Sequence, residues 1–163
     1  HEIILTTGTT CNGPYVLPSH NGGTGWILIK GKNYSSLPAP GTRVSLADAP
    51  LMPQIQYGED GAVAHVGCFS VATGGQRYRI IGIECVENSN KVPNWAFIQL
   101  GYTNSNSTNT GYIILDRIII HDRNPTHPSI RGVYGDAEIG YTALIDSYIS
   151  GIKANGADTQ AWL

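Results

Sequence analysis

The feature that most constrains the fold is a repeat of short apolar segments in the last third of the chain. Residues 112–163 contain YIILDRIII, a loop and IRGVYGD, followed by YTALIDSYIS, a loop and DTQAWL. Asp116 and Asp146 take matching places in the two copies, 30 residues apart, and a weaker copy, YRIIGIECV with WAFIQLG, precedes them. Repeats of this length made of short β-rich segments are typical of solenoids.

Each repeat contains three short strands separated by turns. In the first 31 residues, strands are predicted over Glu2–Thr6, Pro14–Pro18 and Trp26–Gly31, with the turn-prone TTGTTCNG after the first of them. No stretch shows a sustained helical period of 3.6 residues. The predicted fold class is therefore all-β, a three-sided solenoid of stacked coils.

One segment interrupts the strands. Lys32–Gly58 holds the densest cluster of prolines, and Ser45 followed by Asp48 is a capping-box pattern that favours one or two helical turns. We expect a short helical and proline-rich excursion near residues 37–58 that covers one side of the coil stack. A substrate lid is the alternative.

Gly82, Asp116 and Asp146 each fall between two strands of a coil. A sharp bend there requires a left-handed backbone, which Gly, Asn and Asp tolerate best. This structural role is favoured over metal binding for the two aspartates.

The composition is polar but weakly charged. Charged residues make up 13% of the chain and the net charge is −2, which does not indicate a nucleic-acid or anionic-membrane surface. No apolar run approaches the ~18 residues of a transmembrane helix. A loop composition rich in Ser, Thr and Asn favours a secreted protein, extracellular or periplasmic, with its signal peptide removed. A first residue that is His rather than Met indicates either such processing or a numbering that starts inside a longer chain.

The three cysteines, Cys11, Cys68 and Cys85, have no metal-binding spacing. They are interpreted as buried core residues, with a Cys68–Cys85 bridge between neighbouring coils as the alternative. Asn33 and Asn106 lie in N-glycosylation sequons.

Taken in order, PYVLP, GWILIKG, GTRVSLADAPLMPQI, RYRIIGIE, YIILDRIIIHD, IRGVYGD and IDSYIS with DTQA resemble bacterial secreted right-handed parallel β-helix proteins of the pectate-lyase-like superfamily. The resemblance covers nearly the whole chain and implies a single-stranded right-handed β-helix of about five coils. Proteins of this kind carry an N-terminal capping helix and further coils, so we expect residues 1–163 to be one β-helix domain of a longer protein.

The resemblance does not fix an activity. Polysaccharide lyases of this superfamily use clustered acidic groups for Ca²⁺ and an Arg or Lys base, and β-helical glycosidases use paired carboxylates. No clear ligand cluster or catalytic constellation stands out in the sequence, so no metal site and no cofactor are predicted, and Ca²⁺ is the alternative left open. The sequence leaves open whether the protein is an enzyme.

The predicted site lies on the outer face of the IRGVYGD strand. If Val133 points inward, Tyr134 and Asp136 point outward, and a match of Ile98 with Val133 places Gln99 beside Tyr134. A weak carbohydrate-binding stripe, with Tyr134 as the stacking platform, is predicted to consist of Gln99, Arg131, Tyr134, Asp136, Lys153 and Asp158. An ordinary exposed sheet face is the alternative.

His121, Asp122 and Arg123 follow one strand directly. A His–Asp pair can orient an imidazole for base catalysis, but adjacent strand residues point to opposite faces. A solvated loop edge is therefore favoured, as it is for His127.

The sequence is compatible with two functions. The first is a polysaccharide-binding or polysaccharide-cleaving β-helix. The second is a structural β-solenoid whose copies associate end to end through unpaired strand edges and build a fibre.

Overall fold

The structure is a computed structural model, and it describes residues 1–19, 23–57, 66–72, 74–87, 96–102, 110–123, 131–135, 139–153 and 160–162. These residues are mostly β-strand. The strands are β1 (Glu2–Leu5), β2 (Thr10–Gly13), β3 (Tyr15–Leu17), β4 (Ile27–Gly31), β5 (Gln54–Tyr57), β6 (Val66–Ala72), β7 (Gln76–Ile81), β8 (Glu84–Val86), β9 (Ala96–Tyr102), β10 (Gly111–Asp116), β11 (Ile119–His121), β12 (Arg131–Gly135), β13 (Thr142–Ile145), β14 (Tyr148–Ser150) and β15 (Gln160–Trp162).

The strands form three parallel sheets of five strands each. The first sheet has the order β1-β4-β7-β10-β13, the second β2-β5-β8-β11-β14 and the third β3-β6-β9-β12-β15. Every third strand in the chain therefore joins the same sheet, so three consecutive strands make one coil. This arrangement confirms the predicted parallel β-helix of about five coils.

Residues at equal positions in successive coils stack into columns that fill the interior. In the second sheet the inward column is Cys11, Ile55, Cys85, Ile120 and Ile149. From Ile55 to Ile120 its members are at most 1% exposed. Because parallel strands lie ~4.8 Å apart, each side chain in such a column contacts the one before and the one after it.

The bend between the first and second sheets also stacks in register, and here one prediction was wrong. Asp116 pairs with Ile145 rather than Asp146, so the two aspartates do not share a level. The left-handed residues are Gly82 (φ 60°), Arg117 (φ 48°) and Asp146 (φ 47°). The prediction holds for Gly82 and Asp146, but the middle member of the column is Arg117.

Two predicted boundaries also need correction. The segment TTGTTCNG, expected to be a turn, contains β2, because Thr10–Gly13 extends the second sheet beside β5. The predicted excursion near residues 37–58 includes β5 at its end. In the structure the interruption spans residues 32–53, between β4 and β5.

This excursion contains two 3₁₀ helices, Tyr34–Ser36 and Leu46–Leu51. Ser45 precedes the second helix and Asp48 lies in its first turn. The Asp48 carboxylate accepts hydrogen bonds from the Ser45 backbone N–H (2.8 Å) and the Ser45 hydroxyl (3.0 Å). This is the carboxylate half of the predicted capping box. Within the described ranges, neither helix has the length and apolar character needed to cross a membrane.

The excursion packs on the outside of the coil stack through its own apolar cluster. Leu37, Val44 and Met52 are buried against Ile119, an outward-facing residue of the second sheet. This second core confirms that the segment covers one side of the stack.

We predict that Gly31→Ala destabilises the protein by about 1–3 kcal/mol, the usual range for overpacking. A Cβ at Gly31 would lie 2.5 Å from the Gly82 carbonyl oxygen and 2.6 Å from Pro53 Cδ, and neither atom belongs to a flexible side chain. The free energy of unfolding from urea titration measures the effect.

Gly25→Ala is the matched control, because nothing lies within 4 Å of a Cβ at that position. Its free energy of unfolding should stay within about 0.5 kcal/mol of the wild type. Equal stability of the two variants would show that the coils are not closely packed at Gly31.

Candidate functional site

A ladder of polar side chains runs up the outer face of the second sheet. In register, Thr10 of β2 lies beside Gln54 of β5, and Gln54 lies beside Glu84 of β8. Their inward neighbours belong to the core column, so alternation along each strand directs these three side chains outward. Thr10 is exposed, Gln54 half-buried, and Glu84 only 5% exposed.

Glu84 is held by donors from both neighbouring coils. Gln54 Nε2 donates to Glu84 Oε2 at 2.8 Å, and His121 Nε2 lies 2.8 Å from Glu84 Oε1. Arg123 reaches the same Oε1 at 3.4 Å. Both carboxylate oxygens of Glu84 are therefore engaged, as a buried carboxylate requires.

The pKa of Glu84 follows from two opposing effects. Burial raises the pKa, but hydrogen bonds from His121 and Gln54 and electrostatic interactions with His121 and Arg123 lower it. The favourable contacts win, so the pKa lies below its ordinary value. Glu84 is therefore ionised at neutral pH, a state suited to accepting hydrogen bonds rather than giving up a proton.

The Glu84 ladder forms one side of a pocket of about 340 Å³, within the ~300–1,000 Å³ of small-molecule sites. Its polar lining comes from the first coil, the ladder and Arg123, and its apolar lining comes from the excursion. It is lined by Gly8, Thr9, Thr10, Leu46, Ala49, Pro50, Met52, Gln54, Glu84 and Arg123.

The apolar wall is fixed to a distant coil. Asp146 lies at the bend between the first and second sheets in the last coil. Its carboxylate accepts a hydrogen bond from Gly41 N–H (2.7 Å), and its backbone carbonyl accepts one from Val44 N–H (2.9 Å). Arg117 also donates to the Pro38 carbonyl oxygen at 3.3 Å. The pocket is thus held between the sheet and an anchored segment.

His121 was expected at a solvated loop edge, and that expectation was wrong. Its side chain is only 14% exposed, and its ring contacts Glu84 of the preceding coil. Arg123 does lie at an exposed position, with 46% of its side chain exposed. His127 lies outside the described residues.

The predicted carbohydrate-binding stripe is only partly within the described residues. Val133 pairs with Ile98 and Tyr134 with Gln99, as expected. Gln99 is 5% exposed, so it offers a ligand little surface. The Arg131 guanidinium lies over the Tyr134 ring, 5.0 Å from its centroid.

The other predicted residues are placed as follows. Lys153 is exposed. Asp136, Asp158 and the sequon residue Asn106 lie outside the described residues, and Asn33 precedes the first 3₁₀ helix. The binding and glycosylation roles remain predictions.

Asp116 belongs to a second charged cluster. It is 3% exposed and accepts hydrogen bonds from Arg117 Nε (2.9 Å) and Arg79 Nε (3.2 Å). Burial raises its pKa, but the two arginines outweigh burial and lower it. Asp116 therefore anchors the arginine at the bend. Within the described ranges, no group of three or more His, Cys, Asp or Glu side chains is placed to hold a metal ion.

An exposed aromatic pair marks the first sheet. The Tyr112 and Tyr141 rings stack with centroids 5.1 Å apart, and the Arg77 guanidinium lies over Tyr112. Arg77 and Tyr112 both have left-handed backbones (φ 58° and 55°), which are costly for bulky residues.

Sequence reasoning did not find Glu84 or Gln54. One signal was available, because Glu84 interrupts the apolar run IIGIECV, and a charge within a buried strand must have partners. The identity of those partners depends on the register between coils.

We predict that Glu84→Gln destabilises the protein at pH 7 by about 1–3 kcal/mol, as expected for loss of charged hydrogen bonds. The folded-state pKa of Glu84 is lowered, so its contribution is present above the unfolded value of about 4.3 and is lost as pH falls through the folded pKa. The difference in free energy of unfolding between wild type and Glu84→Gln, measured by urea titration, should therefore shrink from pH 7 to pH 3.

Glu2→Gln is the control, because Glu2 forms an exposed ion pair with Lys30, and such pairs contribute little. If wild type and Glu84→Gln differ in free energy of unfolding by the same amount across this pH range, an ionised Glu84 stabilised by its hydrogen-bond donors is contradicted.

Comparison of the chain with protein-family models, with curated proteins and with solved structures finds no match. The three parallel sheets show a β-helix, whereas the pectate-lyase-like identity remains a resemblance.

Proposed function

We propose that this protein is an extracellular or periplasmic, pectate-lyase-like β-helix that binds polysaccharide, and that the pocket beside Glu84 accepts a sugar unit. The observation that carries the proposal is the pocket's two-sided lining. A sugar ring presents hydroxyl groups at its edge and C–H groups on its faces. The pocket has hydrogen-bonding groups on one side and the apolar wall of Leu46, Ala49, Pro50 and Met52 on the other.

The polar side carries both donors and acceptors. Thr10 and Gln54 provide a hydroxyl and an amide, and Arg123 provides a half-exposed guanidinium. The buried Glu84 carboxylate fixes Gln54 and Arg123. Hydroxyl groups donate and accept, so a mixed set of partners suits them better than a set of one charge.

The state of Glu84 does not suit it to the acid role in glycoside cleavage. A glycosidase acid must hold a proton at working pH, which requires a raised pKa. The pKa of Glu84 is lowered, and both of its oxygens already accept hydrogen bonds. Its role in the proposal is to hold Gln54 and Arg123 in place at the pocket.

We predict that isothermal titration with a panel of neutral and acidic oligosaccharides detects binding, and that Thr10→Trp weakens it at least about tenfold, or ~1.4 kcal/mol. Thr10 is exposed and lines the pocket, so an indole there would fill the pocket without disturbing the core.

The matched control is Asn12→Trp, two residues along the same strand, on the same face and also exposed, but outside the pocket lining. Its affinity should match wild type, and thermal melts of both variants should show intact folding. Equal binding by wild type and Thr10→Trp would exclude this pocket, and silence across the panel would defeat the proposal. New reducing or unsaturated ends in the same mixtures would show that the protein cleaves the oligosaccharides rather than only binding them.

A second function, end-to-end association of copies, is supported by the apolar surface of the first coil. Ile3 is 49% and Tyr15 43% exposed, and both line an apolar cavity of about 230 Å³ with core residues of the first two coils. Stacking the last coil of one copy on the first coil of another would cover this surface and extend the three parallel sheets.

We predict that sedimentation velocity shows association that grows with concentration and that Ile3→Lys abolishes it by placing a charge inside the stacked core. Ile4→Lys is the control. Ile4 is 56% exposed and pairs with the outward-facing Lys30, so a lysine at this position lies outside the stacked core. A wild-type monomer at all concentrations, or equal effects of the two lysines, would contradict end-to-end association.

A further inference from the structure

Two buried cysteines meet in the interior where the second and third coils stack. Cys68 of β6 is 0% exposed and Cys85 of β8 is 1% exposed, and both belong to the main core cluster. The three cysteines of the chain are free thiols in the structure.

The Cys68 thiol lies beside the paired residues Ile55 and Cys85 of the second sheet. Cys68 Sγ donates a hydrogen bond to the Ile55 carbonyl oxygen at 3.3 Å. Ile55 pairs directly with Cys85 in the parallel ladder, and paired residues lie ~4.8 Å apart. The Cys68 side chain also reaches the Cys85 side chain and the Val86 backbone N–H. Cys68 thus lies against the residue beneath Cys85 and against Cys85 itself.

Cys11 is excluded as the partner of Cys85 by the same register. It stands in the same inward column but one coil further away, with Ile55 between them. Two coil spacings are ~9.6 Å, and Cα atoms more than ~7 Å apart cannot be bridged without backbone movement.

From this placement we propose that Cys68 and Cys85 are a disulfide-forming pair that cross-links the second and third coils when the chain folds in an oxidising medium. The bond would join β6 of the third sheet to β8 of the second sheet across the core. The proposal does not rest on the proposed function. Glu84 precedes Cys85 in β8, so the cross-link would also hold the strand that carries the pocket carboxylate.

The bond should form during folding rather than afterwards. Burial, and the neighbouring Cys85, raise the pKa of the Cys68 thiol, and the thiolate is the reactive form. In the folded protein both side chains are shielded, at most 1% exposed, whereas in the unfolded chain they are accessible.

The oxidant is a low-molecular-weight disulfide. The Cys68 thiolate attacks one sulfur of the reagent, forms a mixed disulfide and releases one reagent thiol. The Cys85 thiolate then attacks the Cys68 sulfur, forms the protein disulfide and releases the second reagent thiol. The two protons lost by the cysteines reside on the two released thiols, and the reagent takes up the two electrons.

The test is refolding from denaturant in a buffer containing a low-molecular-weight thiol and its disulfide, with refolding in reductant alone as the reference. The number of thiols titrated in denaturant should fall from three to one, and the mass should fall by two hydrogen atoms. Arg77 and Arg79 lie between the two cysteines, so a non-reduced tryptic digest should contain a Cys68–Cys85 linked peptide. The melting temperature should rise, and reductant present during unfolding should remove the gain.

Cys11→Ala should retain the linked peptide, and Cys85→Ala should lose it. If Cys85→Ala does not fold, the wild-type peptide map decides alone. Three titratable thiols after oxidative refolding, a link through Cys11, or a persistent mixed disulfide would each overturn the proposal.

Discussion

The structure depends on the stacking of each coil on the next in parallel register. The backbone hydrogen bonds of three sheets fix the level of every residue, so inward side chains form continuous columns such as Cys11, Ile55, Cys85, Ile120 and Ile149. The same register acts on the outer surface. The neighbours of a polar side chain on that surface are set by the pairing of strands, not by proximity in the sequence. This pairing brings Gln54, Glu84 and His121 together.

Two of the buried carboxylates, Glu84 and Asp116, show how the stack accommodates charge. Glu84 and Asp116 both lie on strands whose inner face is core, and each is compensated by donors from a neighbouring coil: Gln54 and His121 for Glu84, Arg79 for Asp116. Their pKa values are lowered despite burial. Each of these carboxylates therefore joins two coils, and its contribution above the unfolded pKa adds in part to coil stacking.

The sequence was sufficient to predict the architecture, because the repeat, the short strands and the inward–outward alternation of Val133 and Tyr134 are local patterns. It was misleading at the bend by one residue. Asp is better suited than Arg to a left-handed backbone, yet Arg117 occupies that position, and Asp116 stays in the strand to pair with Arg79 and Arg117. The pocket could not be predicted for a related reason. Its contacts join residues 30 and 37 positions apart, and coils of unequal length give no fixed offset from which to match them.

The excursion connects this irregularity to the proposed site. An insertion in a solenoid need not disturb the stack when it lies between two consecutive strands of one coil, here β4 and β5. What the insertion covers is then decided by where it is anchored. Its hydrogen bonds reach Asp146 in the last coil, while the wall it forms faces Thr10 in the first coil and Glu84 in the third. One segment thus spans the height of the stack, and the pocket has its shape only when the coils between Thr10 and Asp146 are in register.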